Sequence, residues 1–168
     1  ILPQGKNYNI SFESDGLLHH SENLFVAENS AYAEINKAIE LSTIRIGKAI
    51  VLNNMFFEHD KTNILKESKV ELDKLYKLMT NMPNMIVEIS GHTDAKGKHD
   101  YNMKLSQGRA QAVVDAIIKR GIDKARMTAK GYGETIPVVD NFDADGKEIS
   151  KNMAKNRRVE LTVIDLGD

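Results

Sequence analysis

Met85-Ile86-Val87-Glu88-Ile89-Ser90-Gly91-His92-Thr93-Asp94 is the stretch that decides the fold. Met85, Val87 and Ile89 alternate with Ile86, Glu88 and Ser90, the two-residue period of a partly buried strand. Gly91 opens a loop that runs to about Asp100. A helix is predicted from about Tyr101 to Arg120, with Gly121 as its left-handed cap. The apolar stripe of that helix reads Leu105, Ala112, Val113, Ala116 and Ile117. Arg109 lies four residues from both Leu105 and Val113, so it falls on the stripe. A strand that delivers Asp94 to a turn, followed by a helix that carries Arg109, sets a carboxylate and a guanidinium beside one pocket. Such a pair suits a small ligand bearing both an ammonium and a carboxylate.

The same alternation of elements extends to both sides. Upstream, Ala49–Phe57 reads as an apolar strand. Ile64–Asn81 reads as a helix with Val70, Leu75, Leu78 and Met79 on one face and Leu72 at its border. Glu67, Lys69, Glu71, Asp73, Lys74 and Lys77 form its wet side, and Pro83 stops it. Downstream, Met127–Tyr132 is a strand closed by Gly131 and Gly133. Residues 137–150 form a polar loop, a short helix lies near Lys151, and Arg158–Ile164 is the last strand. There Val159, Leu161 and Val163 face one way and Arg158, Glu160 and Thr162 the other. The sum is an α/β (α+β) sandwich, one sheet with helices packed on one face.

Residues 1–48 read differently, as part of a small β-rich domain or linker ahead of a 49–168 domain. Tyr8–Phe12 alternates, Asp15-Gly16 marks a turn and Leu24–Val26 is a short apolar run. Tyr32–Leu41 and Thr43–Ile46 are further strand candidates before a break at Gly47. His19-His20 lies between strands with no third metal ligand nearby.

Composition removes several classes of function. Among 168 residues, 41% are hydrophobic, which is too many for a disordered chain. The 24 acids nearly balance the 23 lysines and arginines. That balance argues against a nucleic-acid binder and against a polybasic membrane anchor. Without cysteine there is no disulfide and no thiol chemistry. No apolar run approaches the roughly 20 residues of a membrane helix. The chain starts at Ile1 rather than Met, as expected of a piece of a longer protein.

The motifs in order are Phe56-Phe57, Gly91-His92-Thr93-Asp94, Gly97, Tyr101-Asn102, Leu105-Ser106, Arg109-Ala110, Gly131-Tyr132-Gly133 and Asn156-Arg157-Arg158. Through them residues 49–165 resemble the OmpA-like, peptidoglycan-associated C-terminal domain of Gram-negative bacteria. A β domain followed by such a domain is further similar to the C-terminal part of PorE-like outer-membrane-associated proteins of the type IX secretion system. The resemblance implies a periplasmic, non-enzymatic module that needs no cofactor. Its ligand would be the diaminopimelate residue of the peptidoglycan stem peptide, and its partners outer-membrane or secretion-system proteins. It implies that Asp94 binds the ligand ammonium and Arg109 the carboxylate, that Thr93 and Asn102 add hydrogen bonds, and that Asp60 borders the pocket. It also implies a contact from Arg157 or Arg158, and strand alternation favours Arg157. Three features depart from the family pattern, one of them a loop from Asp140 to Ser150 longer than in the shortest members. Glu58-His59 stands where the family commonly has a pair made of Asp and an apolar residue or Thr. Gly108 sits inside a helix, at a cost of about 1 kcal/mol against Ala.

Two rival patterns are present. Asn141-Phe142-Asp143-Ala144-Asp145-Gly146 copies the first half of a calcium loop, but the bidentate Glu expected at its twelfth position is Asn152. His92, Asp94, His99 and Asp100 form a His/Asp cluster of the kind that suits zinc. There is no HExxH pair, no G-x-S-x-G elbow and no phosphate loop to turn that cluster into an enzyme.

Overall fold

The computed structural model describes residues 3–12, 20–28 and 44–167. The chain divides into two compact units, Ile1–Ile44 and Arg45–Asp168, four residues ahead of the boundary expected from the sequence. In the first unit, β1 (Lys6–Phe12) pairs antiparallel with β2 (His20–Val26). The alternating Tyr8–Phe12 and the apolar Leu24–Val26 lie in these strands. His20 opens β2 opposite Phe12, whereas His19, Asp15-Gly16, Tyr32–Leu41 and Thr43 lie outside the described residues. Ile44–Ile46 do not form a strand.

The second unit contains β3 (Ala49–Val51), α1 (Lys69–Asn81), β4 (Ile86–Gly91), α2 (His99–Ile118), β5 (Met127–Gly131), α3 (Ser150–Asn156) and β6 (Val159–Asp165). The strands form one mixed sheet in the order β3-β6-β4-β5, with β4 and β5 parallel and the other pairs antiparallel. A parallel pair needs a crossover, and α2 supplies it. It packs on β4 and β5, and α1 packs on α2. The core between helices and sheet is Met79, Met85, Val87, Ile89, Val113, Ile117, Leu161 and Val163, all essentially without exposure. Arg126 ties these layers together. Its Nε donates to the Met85 carbonyl, and Nη2 to those of Met79 and Met82, so a cation sits on the C-terminal end of α1.

Three expectations are corrected. The strand from Ala49 stops at Val51, because Asn53-Asn54 turn the chain and Met55 N donates to the Leu52 carbonyl. The expected helix start at Ile64 is the return arm of a hairpin instead. Phe57 bridges Ile64, Leu65 N donates to the Phe56 carbonyl, and α1 starts only at Lys69 after a 3-10 turn, Lys66–Ser68. On α1 the buried face is Leu72, Leu75 and Met79, while Val70 is exposed. Glu71, expected on the wet side, is buried with Asn54 Nδ2 at 3.5 Å and Lys74 Nζ at 3.6 Å from its Oε2. Burial raises the Glu71 carboxyl above the ordinary glutamate range against the pull of Lys74.

The α2 stripe is also rotated from the expected one. Its buried residues are Asn102, Ser106, Ala110, Val113, Val114 and Ile117. Two of these are polar, so a search for apolar residues alone finds a neighbouring face. Arg109 therefore lies at the edge of the buried stripe and not within it.

Candidate functional site

The site forms where β4 and β5 end beneath α2. Gly91 and Gly131 are partners in register, and no side chain separates them from the helix. A Cβ on Gly91 would overlap the Ser106 carbonyl oxygen and lie 2.9 Å from its carbon; one on Gly131 would lie 2.6 Å from the Gln107 Cα. Backbone thus rests on backbone. The Ser106 hydroxyl accepts from Gly133 N, and the Gln107 amide brackets β5 by accepting from Gly131 N and donating to the Ala129 carbonyl. Arg109, two residues on, is thereby fixed relative to the turn that follows β4.

That turn holds Asp94, which is 8% exposed. Its Oδ1 accepts from Lys96 N at 2.9 Å, an Asx turn, and its Oδ2 accepts from Arg157 Nη1 at 2.5 Å. The Asp94–Ala95 peptide is gripped at both ends. The Thr93 hydroxyl (2.8 Å) and the Asn102 amide (3.4 Å) donate to the Asp94 carbonyl, while Ala95 N donates to Asn141 Oδ1 at 3.3 Å.

Arg109 is held from the opposite side by the Phe56–Leu65 hairpin. Ser68, wholly buried, pins the hairpin base through Phe56 N and the Phe56 carbonyl. At its tip Asp60 has φ +53°, a conformation that Asp tolerates better than most residues. The tip docks on α2 at three points. Tyr101 OH donates to the Asp60 carbonyl at 3.4 Å, Arg109 Nε donates to the Lys61 carbonyl at 3.1 Å, and the Arg109 guanidinium stands 5.2 Å from the Phe57 ring centre. The hairpin seats closely at Gly108, where a Cβ would lie 2.6 Å from the Thr62 methyl. The helical glycine that departs from the family pattern is the seat of the hairpin.

Once Nε is bound to Lys61, the terminal nitrogens of Arg109 make no hydrogen bond with a described residue. Burial lowers the guanidinium pKa, Asp60, Tyr101 and Asp94 oppose that shift, and Arg157 adds to it. Asp60 and Tyr101 at the hairpin tip, and the joined Asp94–Arg157 pair, thus lie within electrostatic reach of Arg109. The structure therefore brings Asp60, Asp94, Arg109 and Arg157 together. Thr93 and Asn102 lie beneath them and direct their hydrogen bonds to the Asp94 carbonyl.

Arg158, the alternative to Arg157, does not join this group. Its side chain is 5% exposed, and it donates to Glu160 Oε1 at 2.7 Å and to the Ile136 carbonyl at 3.1 Å. One residue along an extended chain reverses the side of the sheet, which is why the two arginines part.

The His/Asp cluster disperses in the same way. His92 is buried on the side of the sheet away from the helices and stacks on Tyr132 with ring centres 5.4 Å apart. Its Nε2 stands 3.3 Å from Glu160 Oε2, yet neither ring nitrogen has hydrogen-bond geometry. Burial and then the Arg158 cation lower its pKa, while Glu160 and Glu88 oppose the shift. His99 pairs with Glu134 at 2.9 Å, and Asp100 is exposed. Among the described residues no three His, Cys, Asp or Glu side chains gather as a metal site. In the loop read against a calcium pattern, Asn141 turns inward, and Asp143 Oδ1 accepts from Asp145 N and Lys147 N. Among the described residues, no helix is long and apolar enough to cross a membrane.

On sequence alone Phe57, Tyr101 and the Lys61 carbonyl had no part in this site, and Asn141 stood only in the calcium half-pattern. Phe57 and Tyr101 did stand in the motif blocks, which was a usable signal. Asn141 gave none of its own, because its partners lie far along the chain.

The model of the OmpA family matches residues 56–151. The probable lipoprotein YiaD of Escherichia coli is 35% identical over 126 residues, 73% of this chain and 55% of that protein. Among solved structures, the peptidoglycan-associated lipoprotein from Burkholderia pseudomallei is 28% identical with a TM-score of 0.55, over 65% of this chain and 87% of that one. The cell wall anchor of the T6SS from Pseudomonas aeruginosa is 31% identical with a TM-score of 0.55, over 68% and 78% of the two chains. The first curated relatives are longer proteins, of which this chain spans 13–55%.

Proposed function

This chain belongs to the OmpA family, and from that premise we propose that it binds peptidoglycan without catalysis, through the diaminopimelate end of the stem peptide. The observation that carries the reading is Arg109: a guanidinium steadied by Phe57 and the Lys61 carbonyl, with neither terminal nitrogen bonded to a described residue and Asp94 within electrostatic reach. A planar fork of this kind takes a carboxylate through two parallel hydrogen bonds. Asp94 accepts the ammonium borne on the same carbon. Asp60 and Arg157 complete the rim, one of each charge, which suits a zwitterion better than a simple anion.

A single stem-peptide terminus offers few contacts, so the affinity of one site is modest, and many copies on one sacculus raise the avidity. The module acts in the periplasm and holds an outer-membrane-associated assembly against the cell wall. A small β unit ahead of the OmpA-like unit, the order also seen in PorE-like proteins, is the support for a type IX secretion machine as the parent assembly.

Sedimentation with purified sacculi tests the reading. Asp94→Ala and Arg109→Ala should each leave the chain in the supernatant, because removing either charge strands one end of the ligand in a half-desolvated site. Co-sedimentation of both folded variants at the wild-type level would refute the pocket.

A further inference from the structure

The Asp94 carboxylate points where it does because the peptide behind it is fixed. Thr93 and Asn102 hold the carbonyl of that peptide, and both come from the turn itself or from the helix above it. Its N–H, on Ala95, is held by Asn141, a residue 46 positions further along in a loop that otherwise reads as polar filler. Asn141 is 8% exposed. Its Oδ1 accepts two hydrogen bonds, from Ala95 N at 3.3 Å and from Asn156 Nδ2 at 3.0 Å, which uses both lone pairs of one carbonyl oxygen.

Asn156 is wholly buried and is likewise committed. Its Oδ1 accepts from Val138 N and Val139 N, and its Nδ2 also donates to the Val139 carbonyl. Asn156 immediately precedes Arg157, the residue that pairs with Asp94. The two halves of the Asp94–Arg157 ion pair are therefore joined behind the site by two hydrogen bonds to one oxygen, Asn141 Oδ1. The rest of the loop keeps Asn141 in place. Ile149 N donates to the Asn141 carbonyl, Phe142 bridges Glu148, and Asp143 closes the turn.

We propose that Asn141 is a positioning residue of the ammonium subsite, setting the direction of the Asp94 carboxylate through the Ala95 amide; the role rests on the peptidoglycan reading above. Asn141 does not touch the ligand. It makes the loop after Pro137 part of the binding site, and it acts through the Asp94–Arg157 pair, not through Arg109.

The test is calorimetric titration of the whole chain with two muropeptides, one ending in free diaminopimelate and one with the side-chain amine acetylated. Asn141→Leu removes the acceptor, and Asn141→Asp keeps it. Thermal melting first establishes that each variant is folded. For the free amine, Asn141→Leu should weaken binding about tenfold, the usual scale for losing a residue that orients a binding group. For the acetylated ligand, and for the free amine in an Asp94→Asn background, the further loss should stay under about twofold. Asn141→Asp should bind the free amine within about threefold of wild type.

An equal loss for both ligands, or the same loss again in the Asp94→Asn background, would reduce Asn141 to a general structural role and overturn the proposal. If Asn141→Leu does not fold, a tenfold loss in Asn141→Asp does the same. A wild-type chain that binds neither muropeptide refutes the peptidoglycan reading and this role with it, whereas binding by wild type with parallel losses refutes the role alone.

Discussion

Gly91→Ala is the sharpest test of how the site is held. Gly91 does not need a left-handed backbone, so its requirement is space alone. The added Cβ meets the Ser106 carbonyl oxygen first, and its carbon at 2.9 Å, where ordinary contact begins near 3.4 Å. Backbone atoms cannot rotate away, so α2 must lift from the sheet by about 1 Å to clear the carbonyl oxygen, a gap that forfeits roughly half of each dispersion contact along its buried face. Overpacking costs about 1–3 kcal/mol when side chains can adjust, and here they cannot, so the upper end of that range applies. About 3 kcal/mol in a unit of roughly 120 residues lowers Tm by about 10 °C. Gly131→Ala should behave alike, and because one lift relieves both clashes, the double variant should lose less than the sum. Gly121→Ala is the control. Its added Cβ meets nothing within 4 Å, but φ is +106°, so only backbone strain of about 1–2 kcal/mol is expected. Thermal melts followed by circular dichroism measure all four. Melting of Gly91→Ala and Gly131→Ala within about 3 °C of wild type would refute the backbone-on-backbone seat, and with it the account of how Arg109 is fixed relative to Asp94.

Two further outcomes separate binding from stability. Arg157→Ala should lose affinity for sacculi and lower Tm less than Arg158→Ala does, because its side chain is 49% exposed and Asp94 keeps the Lys96 N–H; Arg158→Ala should cost about 3 kcal/mol of stability by taking the cation from the part-buried Glu160, and the reverse pattern would mean the two arginines had been assigned to the wrong sides. The His92 pKa is lowered from its ordinary 6.5 by burial and the Arg158 cation, so the unfolded chain takes up a proton that the folded chain resists, and the stability this group contributes is lost as pH falls below that value. His92→Phe keeps the stack on Tyr132 and removes the titration, so between about pH 7.5 and pH 5 wild type should lose Tm relative to the variant; parallel curves would show that the ring is not held neutral.

What was legible in the chain was what repeats locally. Met85–Ser90 and Val159–Val163 alternate with period two, and both are strands in the sheet. The same parity separated Arg157 from Arg158. Failures came where a polar residue was buried or an apolar one belonged to a turn. Asn102 and Ser106 lie on the buried face of α2 because they bond to the Asp94 carbonyl and to Gly133 N, so an apolar stripe drawn without them is rotated and misplaces Arg109. Ile64 and Leu65 look like a helix start, yet they answer Phe56 and Phe57 across a hairpin.

The site followed the same division. Asp94 and Arg109 could be singled out because each is locally anomalous, a charge where its element called for something else. Asn141 is not anomalous: an Asn before Asp and Gly in a polar loop fits a calcium half-pattern or an ordinary turn equally well. Its meaning lies in partners 46 residues back and 15 residues ahead, Ala95 and Asn156, and no window along the chain contains all three. The groups that meet a ligand tend to stand out from their neighbours because exposed or half-buried charge conflicts with packing. The groups that aim them are satisfied by hydrogen bonds across the fold, and satisfied polar residues leave no local conflict to detect. A chain read alone therefore yields the charges of a site before it yields their orientation, and orientation is what distinguishes a pocket for a zwitterion from a pair of opposite charges on a surface.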